Sequence, residues 1–322
     1  LEEILDKAEK RIYELSNASA THKFVEMKDE LTEAWERLDK LHNSKEDIRG
    51  VPTGFPAIDN TIAGLQPSDL IILAARPSMG KTALALDIAR QAAVNHNVSV
   101  GIFSLEMSSQ QLVDRMLAAQ ALVDAWKLRT GKLTSDEDFK SIQESLDKLS
   151  RAPIYIDDEA TNNILKMRSV ARRLKSEKGL DLIIVDYLQL MQPIESRGSD
   201  STVQQITEIS RSLKQLAREL DVPVLALSQL SRAVEQRGGR PKLSDLRDSG
   251  AIEQDADVVM FIHREKGHEA DEDNDNIAEI LIEKHRNGPT GIAQLHFNDK
   301  KSTFQSIEKG QYAGVEDEFA SF

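Results

Sequence analysis

Apolar residues along this chain follow two rhythms. Near the N-terminus Ile4, Leu5, Ala8, Ile12 and Leu15 recur at helical spacing, and the same rhythm returns in Leu31, Ala34, Trp35, Leu38 and Leu41 after a polar stretch over 16–23. The spacing predicts helices over 1–15 and about 27–42. A polar segment over 43–50 followed by Pro52 and Gly54 predicts a domain boundary near residue 48. An isolated amphipathic helix beside a linker must bury its stripe, either on its own domain or on a neighbouring subunit.

From Gly50 the rhythm changes. Strand-length apolar runs over 70–75, 98–104, 154–156, 182–185, 222–227 and 258–262 are separated mostly by helical segments, among them 83–94, 108–121, 164–178 and 203–220. Such alternation predicts an α/β domain with a mostly parallel central sheet covered by helices. The end differs: 278–283, 291–297 and 303–307 read as three strands joined by short turns, antiparallel at the sheet edge. Two stretches, 192–205 and 231–257, read as polar loops.

Composition adds limits to this picture. An apolar share of 40% and a charged share of 30% in 322 residues describe a soluble globular chain. No apolar run approaches a membrane span, and the charged N-terminus has no signal-peptide pattern, so a cytoplasmic protein with no membrane contact is expected. There is no cysteine, hence no disulfide framework or thiolate metal site. The chain opens on Leu1, so a piece of a longer protein is expected.

A net charge of −13 argues at first against nucleic acid as a partner. Its distribution removes the objection. Residues 1–47 contribute −5, the stretch 269–275 another −5 and residues 316–318 a further −3, which leaves the remainder neutral with 33 acids and 33 bases. Charge runs of this kind are ordinarily solvated faces, and they leave room for a basic surface elsewhere.

The most specific chemistry lies at Ala75-Arg76-Pro77-Ser78-Met79-Gly80-Lys81-Thr82, between a strand and a helix. A phosphate-binding loop needs that context, because backbone N–H groups and the helix N-terminus together cradle anionic oxygens. Lys81 would reach the terminal phosphates and Thr82 would coordinate Mg²⁺. Ala75 stands where the pattern asks for its first glycine.

Asp186 ends one apolar strand, where a carboxylate can hold Mg²⁺ through water or simply cap or face solvent. Glu106 closes another and is placed to orient or deprotonate attacking water. Gln229 closes a third and could sense the γ-phosphate. Lys284 and Arg286 end a strand just before the turn at 287–289. They are either protective charge on an edge strand or a cationic finger stabilising a transferring phosphoryl group, on their own nucleotide or a neighbour's. The two polar loops contain no Phe, Tyr or Trp, so any nucleic acid they hold is gripped by its backbone, independently of sequence and sensitively to salt.

Residues 49–310 resemble the C-terminal motor domain of bacterial replicative DNA helicases, the DnaB family. The matching blocks are RPSMGKTALAL at 76–86, FSLEMS at 103–108, IIVDYLQLM at 183–191, LSQLSRAVEQR at 227–237, LSDLRDSGAIEQDAD at 243–257 and KHRNGPTG at 284–291. Residues 1–48 resemble the end of that family's N-terminal region with its linker helix, and 311–322 form an acidic tail. The resemblance implies a RecA-like P-loop NTPase core in a homohexameric ring, using ATP and Mg²⁺ and moving 5′ to 3′ on single-stranded DNA.

It further implies nucleotide contacts from Arg76, Pro77, Ser78, Met79, Gly80, Lys81 and Thr82, with Mg²⁺ near Thr82 and Asp186. Glu106 matches the catalytic carboxylate, Gln229 the γ-phosphate sensor, and Lys284 and Arg286 a basic pair acting across the subunit interface. Arg247, Asp248, Ser249 and Gly250 match a loop that grips single-stranded DNA. A helicase loader and other replisome proteins are implied partners, while primase contact belongs to the N-terminal part absent from this sequence. Two alternatives stay open: a filament-forming recombinase-type ATPase, and a regulator in which nucleotide only sets assembly.

Overall fold

A computed structural model of the chain describes residues 26–28, 31, 32, 35, 48–133, 135–159, 163–192, 202–230, 237–264 and 276–307, without the side chains of 202 and 247–251. The helix expected over 1–15, most of that over 27–42, the stretch 193–201 and the tail 311–322 lie outside the described residues. Contacts divide the chain into two compact units, Leu1–Asp47 and Ile48–Phe322. In the first, Met27, Lys28, Leu31, Thr32 and Trp35 are helical, with Met27, Leu31 and Trp35 exposed.

The second unit is built on nine strands: β1 Leu70–Ala75, β2 Val100–Ser104, β3 Ile154–Asp157, β4 Leu182–Asp186, β5 Val224–Gln229, β6 Val258–His263, β7 Ile277–His285, β8 Gly291–Asn298 and β9 Thr303–Ser306. Their order is β3-β2-β4-β5-β1-β6-β7-β8-β9. The first six run parallel, and β6 through β9 pair antiparallel. Every residue of β1, β2, β4 and β6 is buried, which explains why these strands read as unbroken apolar runs.

Around the sheet lie α1 Pro56–Ile62, α2 Lys81–His96, α3 Ser109–Ala121, α4 Ala125–Thr130, α5 Asp136–Arg151, α6 Ile164–Lys178, α7 Thr202–Leu220 and α8 Gly250–Asp255, with short 3-10 turns at Leu188–Leu190 and Leu243–Ser249. The two sheet faces form separate cores. Ile71 and Leu73 of β1 pack with α1, α2 and α3, whereas Leu70, Ile72 and Ala74 pack with α6, α7 and α8.

Three departures from the sequence reading are instructive. The stretch 231–257 is not one loop: 243–249 is 3-10 and 250–255 is helical. Likewise α7 begins at Thr202, inside the other expected loop. Helices α4 and α5 enter between β2 and β3 and were not expected, although Phe139, Ile142, Leu146 and Leu149 recur at helical spacing along α5; Ser145 is the one fully buried residue of the two helices.

Candidate functional site

Four strand ends meet along one sheet edge. In the order β2-β4-β5-β1 the strands are adjacent, and their carboxyl ends lead into Glu106, Asp186, Gln229 and the phosphate loop. Register tightens the arrangement: Asp186 lies opposite Ser104, and Gln229 opposite Ala75. Glu106 itself lies in the bend two residues past the end of β2, not on the strand. Arg76, Pro77, Ser78, Gly80, Lys81, Thr82, Glu106 and Gln229 line a single cleft of about 430 Å³. Carboxyl ends of parallel strands are where open α/β sheets bind ligands.

The loop's own geometry favours an anion. Gly80 caps α2 with no side-chain hydrogen bond, and no acid occupies the helix's first turn, so the first N–H groups stay free for a ligand. The irregular Ala75 has a simple explanation. It is the last residue of β1, fully buried and paired with both neighbours, and needs no glycine conformation. Gly80 does need one, at φ +92, and an added Cβ would come within 2.9 Å of Phe304. Met79, expected among the nucleotide contacts, turns its side chain into the core and does not line the cleft.

Charge inside the cleft is tightly coupled. Burial holds the Lys81 ammonium below its ordinary value, against the opposing pull of Asp186 and Glu106. Burial likewise pushes the Asp186 carboxyl up, countered by Lys81 and the Thr82 hydroxyl. Thr82 Oγ1 donates to Asp186 Oδ2 at 2.8 Å. The second carboxylate oxygen, Oδ1, is buried without a partner. A buried carboxylate oxygen with nothing to accept, beside a hydroxyl at the phosphate loop, suits a hard divalent cation that takes few protein ligands and keeps its waters. The residues present fit Mg²⁺.

Several groups here gave no signal in sequence. Tyr187 places its ring under Lys81, 4.4 Å from the ammonium. Arg115 on α3 lines the cleft and draws the Asp186 carboxyl toward its charged form. Gln189 holds Gln229 from both sides: its amide donates to Ser228 Oγ at 3.0 Å and to Gln229 O at 3.2 Å, and its carbonyl accepts from Gln229 N at 3.3 Å. Asp299 and Ser302 close the wall from the β8–β9 turn, and Arg264, stacked on Phe297, grips Asp299 at 3.0 and 3.3 Å.

Lys284 and Arg286 are not in this cleft. β7 runs antiparallel to β6, so His285 faces Val258, which in turn faces Ile71 near the start of β1. The pair therefore sits at the amino edge of the parallel strands. Five residue steps along β1 span roughly 17 Å at about 3.3 Å each. Neither side chain reaches the phosphate loop of its own subunit. The backbone of 247–250 runs from the 3-10 turn into α8. Among the described residues no three His, Cys, Asp or Glu gather as a metal cage, and no helix is long and apolar enough to cross a membrane.

Comparison with known proteins accords with this geometry. Residues 50–306 match the model of the DnaB-like helicase C terminal domain. The chain belongs to the DnaB-like helicase family. The replicative DNA helicase DnaB of Geobacillus stearothermophilus is 50% identical over 307 residues, covering 95% of this chain and 67% of that protein. Replicative DNA helicase DnaC of Bacillus subtilis is 48% identical over 310 residues, covering 96% and 68%. Among solved structures, an isolated ATPase domain superposes with a TM-score of 0.82 at 36% identity, covering 89% of this chain and all of that one. A DnaB-like replicative helicase, solved in a study of its interactions with primase, gives 0.81 at 35%, covering 94% and 71%. The nine-stranded sheet is thus the ATPase fold of DnaB-like helicases, and this chain spans about two thirds of its full-length DnaB-family relatives.

Proposed function

We propose that the chain is the motor of a replicative DNA helicase, a subunit of a six-membered ring that hydrolyses ATP with Mg²⁺, moves 5′ to 3′ on single-stranded DNA and separates duplex. The observation that carries this reading is that the phosphate loop, Glu106 and Gln229 line one cleft at adjacent strand ends, with the buried carboxylate of Asp186, at the end of the strand between, bonded to Thr82 of its wall. The ATP triphosphate lies on the free N–H groups at the start of α2, with Lys81 against its terminal oxygens. Thr82 and Asp186 would hold the cation, which when bound would supply positive charge against that building on the transferring phosphoryl group. Glu106 orients the attacking water and draws off its proton. Gln229, fixed by Gln189, touches the γ-phosphate and registers its loss.

Lys284 and Arg286 complete the site from the adjacent subunit. Their position, roughly 17 Å along the sheet from their own phosphate loop, supports the reading across an interface and disfavours the one within a subunit. Segment 247–250 contacts single-stranded DNA through backbone and polar groups. The helix containing Leu31 and Trp35 docks on the neighbouring subunit. A loader protein engages the ring, and primase contact falls to the part of the full-length relatives that this chain does not span.

Lys81→Ala tests the reading. ATP hydrolysis falls at least about a hundredfold, as when a preorganised donor to developing charge is removed, and DNA unwinding is lost with it. A Lys81→Ala protein that still unwinds DNA ends the assignment.

A further inference from the structure

The strand carrying the cation pair is not regular. Along β6 and β7, Met260 faces Ile282 but Val259 faces Lys284, so Glu283 is an extra residue, a β-bulge. Its effect is to change faces. Ile280 and Ile282 point into the core beside α2, and by simple alternation Lys284 would follow them. The bulge instead sets Lys284 beside Val259, on the face packed with α7 and α8. Arg286, two residues on, shares that face.

There both cations find the carboxyl end of α8. Lys284 donates to the carbonyls of Glu253 and Ala256, the latter at 2.7 Å. Arg286 donates from Nη2 to the carbonyl of Gln254 at 3.1 Å and from Nη1 to Asp257 Oδ1 at 3.1 Å. Its backbone N–H bonds the Asp257 carbonyl at 2.8 Å. The last carbonyls of a helix lack partners within it and sit at its negative end, so two cations there are held by fit and by charge.

Asp257 is the hub. It is buried, and its other carboxylate oxygen accepts from Leu70 N at 2.9 Å and from Lys214 of α7. Ser210 of α7 ties α8 again by donating to Asp255. Donors remain: among the described residues two of the three Lys284 N–H groups are engaged, and Arg286 stays half exposed with N–H groups to spare. The pair can therefore present hydrogens outward without leaving this cradle.

We propose that Asp257 and the carboxyl end of α8 are positioning elements for Lys284 and Arg286, and that through α8 the pair is coupled to the segment 247–250, which leads into and begins that helix. This rests on the reading above, in which the pair serves a neighbour's nucleotide and 247–250 touches DNA. A shift of 247–250 on a DNA strand moves α8, and α8 carries the carbonyls that aim both cations.

Mixed rings of the full chain give the test. Glu106→Gln subunits keep their cations but have a dead site; Arg286→Ala subunits keep their site but lack the finger. Mixed, they hydrolyse ATP only where the first serves the second. Asp257→Asn is then added to one component at a time. In the cation-donating component it lowers kcat of the mixture about tenfold or more with KM little changed, as misaligned catalytic groups do. In the site-bearing component it changes kcat less than twofold. Equal loss in both positions means that Asp257 merely supports the fold, and overturns the proposal.

The factor by which single-stranded oligothymidylate stimulates the mixture also drops when Asp257→Asn is in the donating component, while its binding affinity holds. An unaltered stimulation factor overturns the coupling to 247–250. Should Asp257→Asn fail to fold, Ser210→Ala loosens α8 with Asp257 intact and is run in the same two positions, with the same outcomes deciding. An unmodified mixture that shows no hydrolysis refutes the cation reading itself and takes the cradle with it, a failure distinguishable because no Asp257 variant is present.

Discussion

At Gly80 two independent demands fall on one residue. Its φ of +92 lies where side chains are strained, and an added Cβ would stand 2.9 Å from Phe304 and 3.2 Å from Phe297. Conformation costs about 1 kcal/mol and overpacking about 1–3 kcal/mol more. Gly80→Ala is therefore expected to lower the melting temperature and to weaken nucleotide binding at least tenfold, because strain is relieved by moving the N–H groups that hold phosphate; a fluorescent nucleotide titration measures this. Asp69 offers a second case. Burial, reinforced by the nearby Asp257 charge, raises its carboxyl from 3.8 to about 6. Between those values the folded chain binds more protons than the unfolded one, so Asp69 makes stability fall as pH rises through that window. Asp69→Asn should flatten that decline, visible in melts taken at intervals from pH 4 to 7.

At the level of elements, β9 and the phosphate loop are linked through one buried acid. Asp87 of α2 accepts from Thr303 Oγ1 at 2.9 Å, Phe304 N at 2.7 Å and Arg90 at 2.9 Å, and Phe304 lies against Gly80. Asp87→Ala leaves Arg90, still bonded to Gln120, without its carboxylate and the Phe304 amide unpaired in the core, and should cost about 3–5 kcal/mol, while Asp87→Asn, which keeps one acceptor, should cost less; urea unfolding compares them. This linkage was invisible in sequence because its partners stand 216 and 217 residues apart. The sheet itself was legible, since strands buried on both faces read as apolar runs, and the phosphate loop, Glu106, Asp186 and Gln229 each close or follow such a run. Arg115, Asp299 and Ser302 were not, because they reach the cleft from elements that only the fold brings near. The Glu283 bulge was hidden for a different reason: alternation along a strand is assumed in reading it, and one extra residue inverts every face beyond it.

At the level of the whole molecule, the two groups of candidate residues lie at opposite edges of one sheet. The phosphate loop follows β1 at the carboxyl edge, and Lys284 and Arg286 sit near its start, roughly 17 Å away. If the pair serves a neighbour's nucleotide, as proposed above, a lone subunit keeps its phosphate loop and lacks the cations it must borrow to stabilise the transferring phosphoryl group. Binding and hydrolysis should separate on dilution. Nucleotide affinity per subunit is expected to stay within about twofold across protein concentrations that span assembly. Specific ATPase activity should fall by about 10³ or more as rings dissociate, the magnitude by which a cationic finger supplied from another chain raises such rates. Sedimentation velocity run beside the ATPase assay at each concentration tests this directly. If activity per subunit is constant while the ring falls apart, each subunit completes its own site, and the 17 Å separation along β1 would have to be closed by a rearrangement that the paired register of β1, β6 and β7 does not allow.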